Sequence, residues 1–401
     1  MRVQDGAPYR QALPDRGAGS AGHTWARLAA FYAASFSALG VFLQFFPAWM
    51  HDVQGFSERE IAVVLSAVTL ARTIAGPLWA QAADRSGDAR RVLSLLSAGS
   101  VGAFALFAFA PSLVGAWCVA LVFGCLYPPM HSIVDAAAVR EGAQHGFSFG
   151  RLRLVGSLSF LVAILAVGAW LERSSTSRVY GILLGCLLAT AAAGRCLPRG
   201  PRASHIPDAR PAPWWHLLRS TPFVVLLICS ALIQGSHAVY YQLSTVYWGE
   251  HGVATSVAAT LWAEGVLAEI VLFYFARHTL DRLRPTTLLL LGGLGATVRW
   301  LVLGATTDVP ILFAANWLHA LSFAATYLGA IRALDGRVPD AQLATAQGMT
   351  GAATAGGGMV LCGLCGGFVS TAFEGAGFCL MAVFAALGSA AALWLRTRRD
   401  R

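Results

Sequence analysis

Charged side chains recur inside stretches of this sequence that are otherwise apolar, and they define the chemistry open to it. Asp135 and Arg153 stand 18 positions apart on two successive apolar runs, Glu264 and Glu269 share a third, and Arg299 and His319 occupy two more. Arg72 lies within an earlier run. Charges in hydrocarbon are costly and face a cavity or a partner. Asp135 and Arg153 suit each other, because the planar guanidinium fork binds carboxylates in bidentate fashion. Two readings stay open for them: a structural clamp at the inner face, or a substrate site in which Arg153 grips an anionic or hydroxylated solute. Glu264 and Glu269 are five apart, which places them about 140° from each other around a helix, so they do not share one narrow stripe. A buried carboxylate near an Arg can titrate reversibly. Glu269 is therefore either a proton or substrate group or half of a static ion pair. His319 is a proton relay or simply a hydrogen-bond donor. Gln234, His237 and Tyr241 follow i, i+3, i+7 spacing and form a polar stripe, which lines a water-filled path or bonds one helix to another. Tyr240, Tyr241 and Trp262 are placed to stack on a ring or to pack the bundle.

The elements carrying these groups follow from composition. Of the 401 residues 56% are apolar and only 12% charged, about half the charge of a soluble domain. Apolar runs of about 20 residues, the length that crosses ~30 Å of hydrocarbon, repeat along the whole chain. This is the pattern of an all-α polytopic membrane protein. Hydropathy and the Gly, Pro and charged breaks predict twelve helices: 27–50, 57–81, 91–110, 113–139, 150–171, 178–197, 220–247, 254–276, 285–305, 309–332, 341–370 and 376–396. The first run is too long for a signal-peptide core and is expected to be retained.

The net charge of +9 contains no Lys; all 29 basic residues are Arg. With the N-terminus in the cytoplasm, the outer loops hold only Arg59, Arg173 and Arg178, while Arg72 and Arg299 fall inside spans. The excess on the other side orients the chain with both termini cytoplasmic, and it argues against a nucleic-acid partner. A Pro-rich basic break separates six spans from six. The expected organisation is a cytoplasmic tail (1–26), a six-helix bundle (27–197), a linker (198–219), a second six-helix bundle (220–396) and a short tail (397–401). Asp84-Arg85 and Asp281-Arg282 lie 197 positions apart, as do Gly55 and Gly252, which favours parallel repeats.

Other chemistries lack their residues. No Walker A motif, nucleotide fingerprint or H-E-x-x-H helix is present, so no cofactor or metal is expected. The eight Cys imply no disulfide framework. Cys362 and Cys365 lie mid-span among glycines that permit close helix approach.

At several of these residues the chain resembles the major facilitator superfamily, and within it the 3-phenylpropionate permease family, relatives of lactose permease. The resemblance rests on Phe149-Gly-Arg151-Leu-Arg153-Leu-Val-Gly156-Ser157, on Gln234-Gly-Ser-His237-Ala-Val-Tyr240-Tyr241 with Tyr247-Trp248, on Leu261-Trp262 through Glu269, and on Val298-Arg299-Trp300 with Gly304-Ala305-Thr306-Thr307. Ala80 through Arg91 resembles the superfamily's G-x-x-x-D-R-x-G loop, with Ala80 in place of the leading Gly. The resemblance implies two six-helix bundles around a central cavity, Asp135 and Arg153 as the substrate pair, and Glu269, Arg299 and His319 in the coupling machinery. It implies conformational-gate roles for Asp84 and Arg85, echoed by Asp281 and Arg282. Arg72 falls where the phenylpropionate permeases are expected to carry an Arg. Ser322 stands where lactose permease has its proton-carrying Glu, so the proton is expected on Glu269 or Glu264.

The resulting expectation is a non-enzymatic, proton-coupled uptake symporter for a small organic solute, first of all an aromatic carboxylate. Gln234, His237, Tyr241 and Trp262 join Asp135 and Arg153 at the solute. The alternatives are a sugar or nucleoside symporter, a proton-antiport exporter, and, from another class, a membrane receptor or acyltransferase. A monomer in the bacterial inner membrane is expected, with solute, protons and lipid as its partners.

Overall fold

Apolar stretches this long can satisfy their backbone in lipid only by coiling, since each N–H and C=O must find its partner within the segment. The computed structural model describes residues 18–198, 214–275, 282–334, 338, 343–370, 372–373 and 375–397. Its described residues form no strand and contain twelve helices long and apolar enough to span a membrane. We number them α1 (Ala18–Asp52), α2 (Glu58–Ser86), α3 (Ala89–Ala105, with a further turn to Phe109), α4 (Leu113–Leu126 and Pro129–His145), α5 (Phe149–Leu171) and α6 (Arg178–Cys196). The second set is α7 (Thr221–Gly235 and Ala238–Glu250), α8 (Thr255–Phe275), α9 (Pro285–Ala305), α10 (Val309–Asn316 to Thr326–Leu334), α11 (Leu343–Gly351 to Met359–Val369) and α12 (Ala376–Thr397).

Local chemistry sets the ends. The Asp88 carboxylate accepts from the Arg91 N–H at 3.0 Å to start α3, and Ser112 Oγ accepts from the Gly115 N–H at 3.2 Å to start α4. Prolines sit in the first turns of α7 and α9 and of the second segment of α4. Gly55 and Gly252, the pair spaced by 197 residues, both adopt the left-handed backbone, with φ of 74° and 77°, in the turns before α2 and α8. Only glycine enters that region freely, so the repeated Gly marks a repeated turn.

Besides α4, which is interrupted at Tyr127–Pro128, three helices depart from regular geometry. α7 breaks at Ser236–His237, and α10 and α11 carry wider π-helical turns at Ala320–Ala325 and Ala352–Gly358. Such turns release backbone groups from the regular ladder and cluster at functional sites. Breaks in α7 and α10 bring Gln234, His237, His319 and Ser322 onto facing irregular segments. The i, i+3, i+7 stripe therefore crosses a break instead of following one continuous helix.

Packing divides by halves. α1 lies on α5 and α6, α2 on α4, and α3 on α6; in the second set α12 lies on α7 and α9, and α9 on α10. The seam between the halves is made by α2 with α11, α5 with α8, and α1 with α7. It is tightest at the face opposite the chain ends. There His51 Nε2 meets Glu250 Oε1 at 3.2 Å, the Arg59 guanidinium lies 4.0 Å over the Phe368 ring, and Ser256 donates to Glu172. A Cβ on Gly168 would come 2.5 Å from that of Ala259, so α5 and α8 touch at that end. Towards the face bearing the termini, Pro129–His145 lies on α2 and α3 of its own half, and Leu343–Gly351 on α7 and α10 of the other. Among the described residues no hydrogen bond or ion pair between the halves in these segments repeats the contacts that close the other face.

Candidate functional site

Two clusters of polar side chains occupy the bundle interior, one in each half. The first is built on α4, α5 and α1. Asp135 and Arg153 meet because α4 and α5 are joined by a short turn at Gly146, whose left-handed backbone (φ 74°) ends α4. Arg153 Nη1 lies 3.4 Å from Asp135 Oδ2 and 3.5 Å from Oδ1, a loose contact through one nitrogen. Tyr32 Oη donates to Asp135 Oδ1 at 2.5 Å and is its closest partner. The Phe36 ring lies 4.8 Å under the Arg153 guanidinium and stacks on Tyr32. His131, one turn before Asp135, sits edge-on to Phe36, with Nε2 buried and without a partner. The side chains of Asp135 and Arg153 remain 32% and 46% exposed, so this pair is reachable.

The second cluster is closed. Arg299 on α9 has no exposed surface, although it is a full charge at membrane depth. Nη1 donates to His319 Nδ1 at 2.8 Å, and Nη2 donates to Asn316 Oδ1 at 2.5 Å. Its plane is held between Tyr240 and Trp300, at 4.4 and 4.6 Å, a cation–π arrangement that disperses charge without a counter-ion in contact. Asn316 in turn donates to the Leu261 carbonyl of α8. His319 Nε2 stands 2.8 Å from Glu269 Oε1.

Donor bookkeeping fixes the direction of this chain. Arg has no acceptor, so His319 Nδ1 must accept. The ring's N–H is then on Nε2 and donates to the Glu269 carboxylate. Arg299, His319 and Glu269 thus form one line of hydrogen bonds ending on a carboxylate that is 23% exposed. Glu264 lies alongside Asn316 and Trp317, with Oε2 buried and without a partner. The two glutamates take separate neighbours, as their separation around α8 requires.

Gln234 and His237 bond helix to helix. Gln234 Nε2 donates to the Phe323 carbonyl at 3.0 Å, and His237 Nε2 lies 3.1 Å from Ser322 Oγ, with both residues of that pair wholly buried. Ser322, where a proton-carrying Glu was the point of comparison, is thus a ligand of His237. Tyr241 stacks on His237 at 5.9 Å and touches Trp262 at 5.6 Å; Trp262 lies 5.2 Å from Tyr240 and donates to Ser244 Oγ at 3.2 Å. Among the described residues no hydrogen bond or ion pair joins this cluster to Asp135 and Arg153. Arg85 and Arg282 are exposed at the ends of their segments; Asp281 and the Asp84 side chain lie outside the described residues.

Sequence reasoning missed Tyr32, His131 and Asn316. Asn316 stands three residues before His319 and His131 four before Asp135, so each shares a helix face with a residue already singled out. Tyr32 left no such signal, since only the fold brings α1 to α4.

The model of the MFS_1 like family matches residues 25–381. The chain belongs to the MFS_1-like family. It is 29% identical over 85% of its length to a probable 3-phenylpropionic acid transporter of Escherichia coli (strain K12), covering 90% of that protein. To the maltose permease of Geobacillus stearothermophilus it is 30% identical, over 84% of this chain and 86% of the permease. Its fold superposes on a point mutant of the nucleoside transporter NupG with a TM-score of 0.83 at 16% identity, over 93% of this chain and 99% of NupG. The protein is a multi-pass membrane transporter of the major facilitator type, not an enzyme.

Proposed function

We propose that the protein is a proton-coupled symporter for a small organic solute, an aromatic monocarboxylate before any other. The hydrogen-bonded line from Arg299 through His319 to the partly exposed Glu269 carries this reading. A proton on Glu269 cancels the charge that receives the His319 N–H, and it leaves Glu264, alongside Asn316, as the remaining carboxylate near Arg299. The protein can therefore exist in two charge states with different internal pairing, which is what coupling requires. The halves, 27–197 and 220–396, rock about a midplane site, and Asp84, Arg85, Asp281 and Arg282 act at the moving loops. Termini in the cytoplasm, a bacterial inner membrane and a monomer complete the proposal.

Solute binding is assigned to the reachable pair Asp135 and Arg153, with Tyr32 and Phe36 against an aromatic body. Gln234, His237, Tyr241 and Trp262 shape the opposite wall as the halves close. The likeness to a probable 3-phenylpropionic acid transporter supports the substrate class. A sugar is the second reading, favoured by the maltose permease and by the Asp135 carboxylate, which accepts from hydroxyl groups as it does from Tyr32. Uptake of radiolabelled 3-phenylpropionate into proteoliposomes under an imposed pH gradient, challenged with unlabelled carboxylates, sugars and nucleosides, decides between them. Competition by carboxylates supports the first reading, and competition by sugars alone replaces it with the second.

A further inference from the structure

Among the described residues three guanidinium groups belong to the interior of the bundle, and two of them have side-chain partners. Arg153 lies against Asp135. Arg299 is enclosed, with Nη1 and Nη2 both spent on His319 and Asn316. Arg72 differs. It has no carboxylate partner among the described residues and makes one hydrogen bond, from Nη2 to the Ala355 carbonyl at 2.6 Å in the π-helical turn of α11. An Arg carries five N–H donors and no acceptor, so most of its donors remain for something else.

The helix places this group in the path between the halves. Leu70, Ile74 and Leu78 of α2 are 44%, 62% and 63% exposed and form its lipid-facing stripe. Val68 and Ala71 face α4, where a Cβ on Gly124 would meet both. Ala62 and Thr73 face α11, where Cβ atoms on Gly367 and Gly356 would meet them. At about 100° per residue, Arg72 lies about 160° from both Leu70 and Ile74. It occupies the arc left between the α4-facing and α11-facing residues, away from lipid. His131 is within electrostatic reach of Arg72, Asp135 and Arg153 alike, so Arg72 borders the first cluster.

The charge count then selects the ligand. Asp135 and Arg153 cancel, and Arg72 leaves this side of the path with one uncompensated positive charge. A neutral sugar has no use for it, whereas a monocarboxylate both neutralises it and accepts two N–H groups from one guanidinium edge.

We infer that Arg72 receives the solute's carboxylate and that the transported species is a monoanion. This rests on the proposed reading of the central path as a route for an aromatic carboxylate. Arg153 and Asp135 then serve the body or a second polar group of the solute.

The test measures binding to purified protein in detergent, by tryptophan fluorescence, of 3-phenylpropionate and its neutral analogue 3-phenylpropanamide. Wild type should favour the acid by about tenfold or more, the range of a charge-assisted hydrogen bond. In Arg72→Gln that ratio should fall to about one with amide affinity unchanged, a change that mere misfolding does not produce. Arg72→Lys should recover part of the ratio, because charge returns without the fork. An acid-to-amide ratio unaltered in Arg72→Gln, or in Arg72→Lys if the first variant does not fold, overturns the assignment and leaves the carboxylate reading standing. A wild type that binds the amide as tightly as the acid, or binds maltose and neither of them, overturns the carboxylate reading and the inference with it.

Discussion

Replacing Glu269 with Gln removes the one titratable end of the Arg299–His319–Glu269 line while keeping its shape. The amide oxygen can still accept from His319 Nε2, which stands 2.8 Å from the carboxylate oxygen. The local loss is the difference between a charge-assisted and a neutral hydrogen bond, about 1 kcal/mol, so insertion and melting temperature should change little. The effect on coupling is of another order. A pH difference of one unit is worth about 1.4 kcal/mol per proton, so one-to-one electroneutral symport drives accumulation about tenfold per unit and about a hundredfold for two. Glu269→Gln should accumulate solute no further than protein-free liposomes do at any imposed gradient, while solute–solute counterflow continues. Both are measured in the same proteoliposome preparation. Gradient-driven accumulation at the wild-type level in this variant would refute the placement of the proton on Glu269.

Arg153→Lys should weaken solute binding several-fold in an equilibrium titration, because an ammonium cannot reproduce the guanidinium plane over Phe36 or its reach to Asp135. Arg299→Gln should destabilise the protein by about 3 kcal/mol or more, since it strips the partner from a buried ionic network. Thermal unfolding of Arg299→Gln/Glu269→Gln should recover part of that loss, because the orphaned carboxylate is gone as well. Gly235→Ala should lower thermal stability by about 1–3 kcal/mol through overpacking, as its Cβ would lie 2.6 Å from the Gly358 backbone of α11.

The spans were legible because hydrocarbon thickness imposes a length and Gly, Pro and Arg punctuate the ends; the structured spans agree with the hydropathy reading to within a few residues at most ends. The Asp135–Arg153 contact was legible for a similar reason, since a short connection forces α4 and α5 to run side by side. Charges at depth pointed to Glu269, Arg299 and His319, and the structure adds the order in which they bond. What one dimension cannot carry is contact between remote elements. Tyr32 reaches Asp135 across 103 positions, and Arg72 reaches Ala355 across 283. The helix break at Ser236–His237 and the π turns of α10 and α11 also left no periodicity signal. They are held by tertiary partners such as Trp300 Nε1, which donates to Ser236 Oγ at 2.8 Å.

Coupled flux tests the central claim most directly: purified wild-type protein in liposomes carrying an internal pH dye, with 3-phenylpropionate applied outside and no other gradient. Solute entry should bring protons with it, so the lumen acidifies by one equivalent per molecule taken up, and a protonophore should abolish any accumulation that an imposed gradient supports. Entry that proceeds with the dye unmoved, beyond what protein-free liposomes give, would contradict the account.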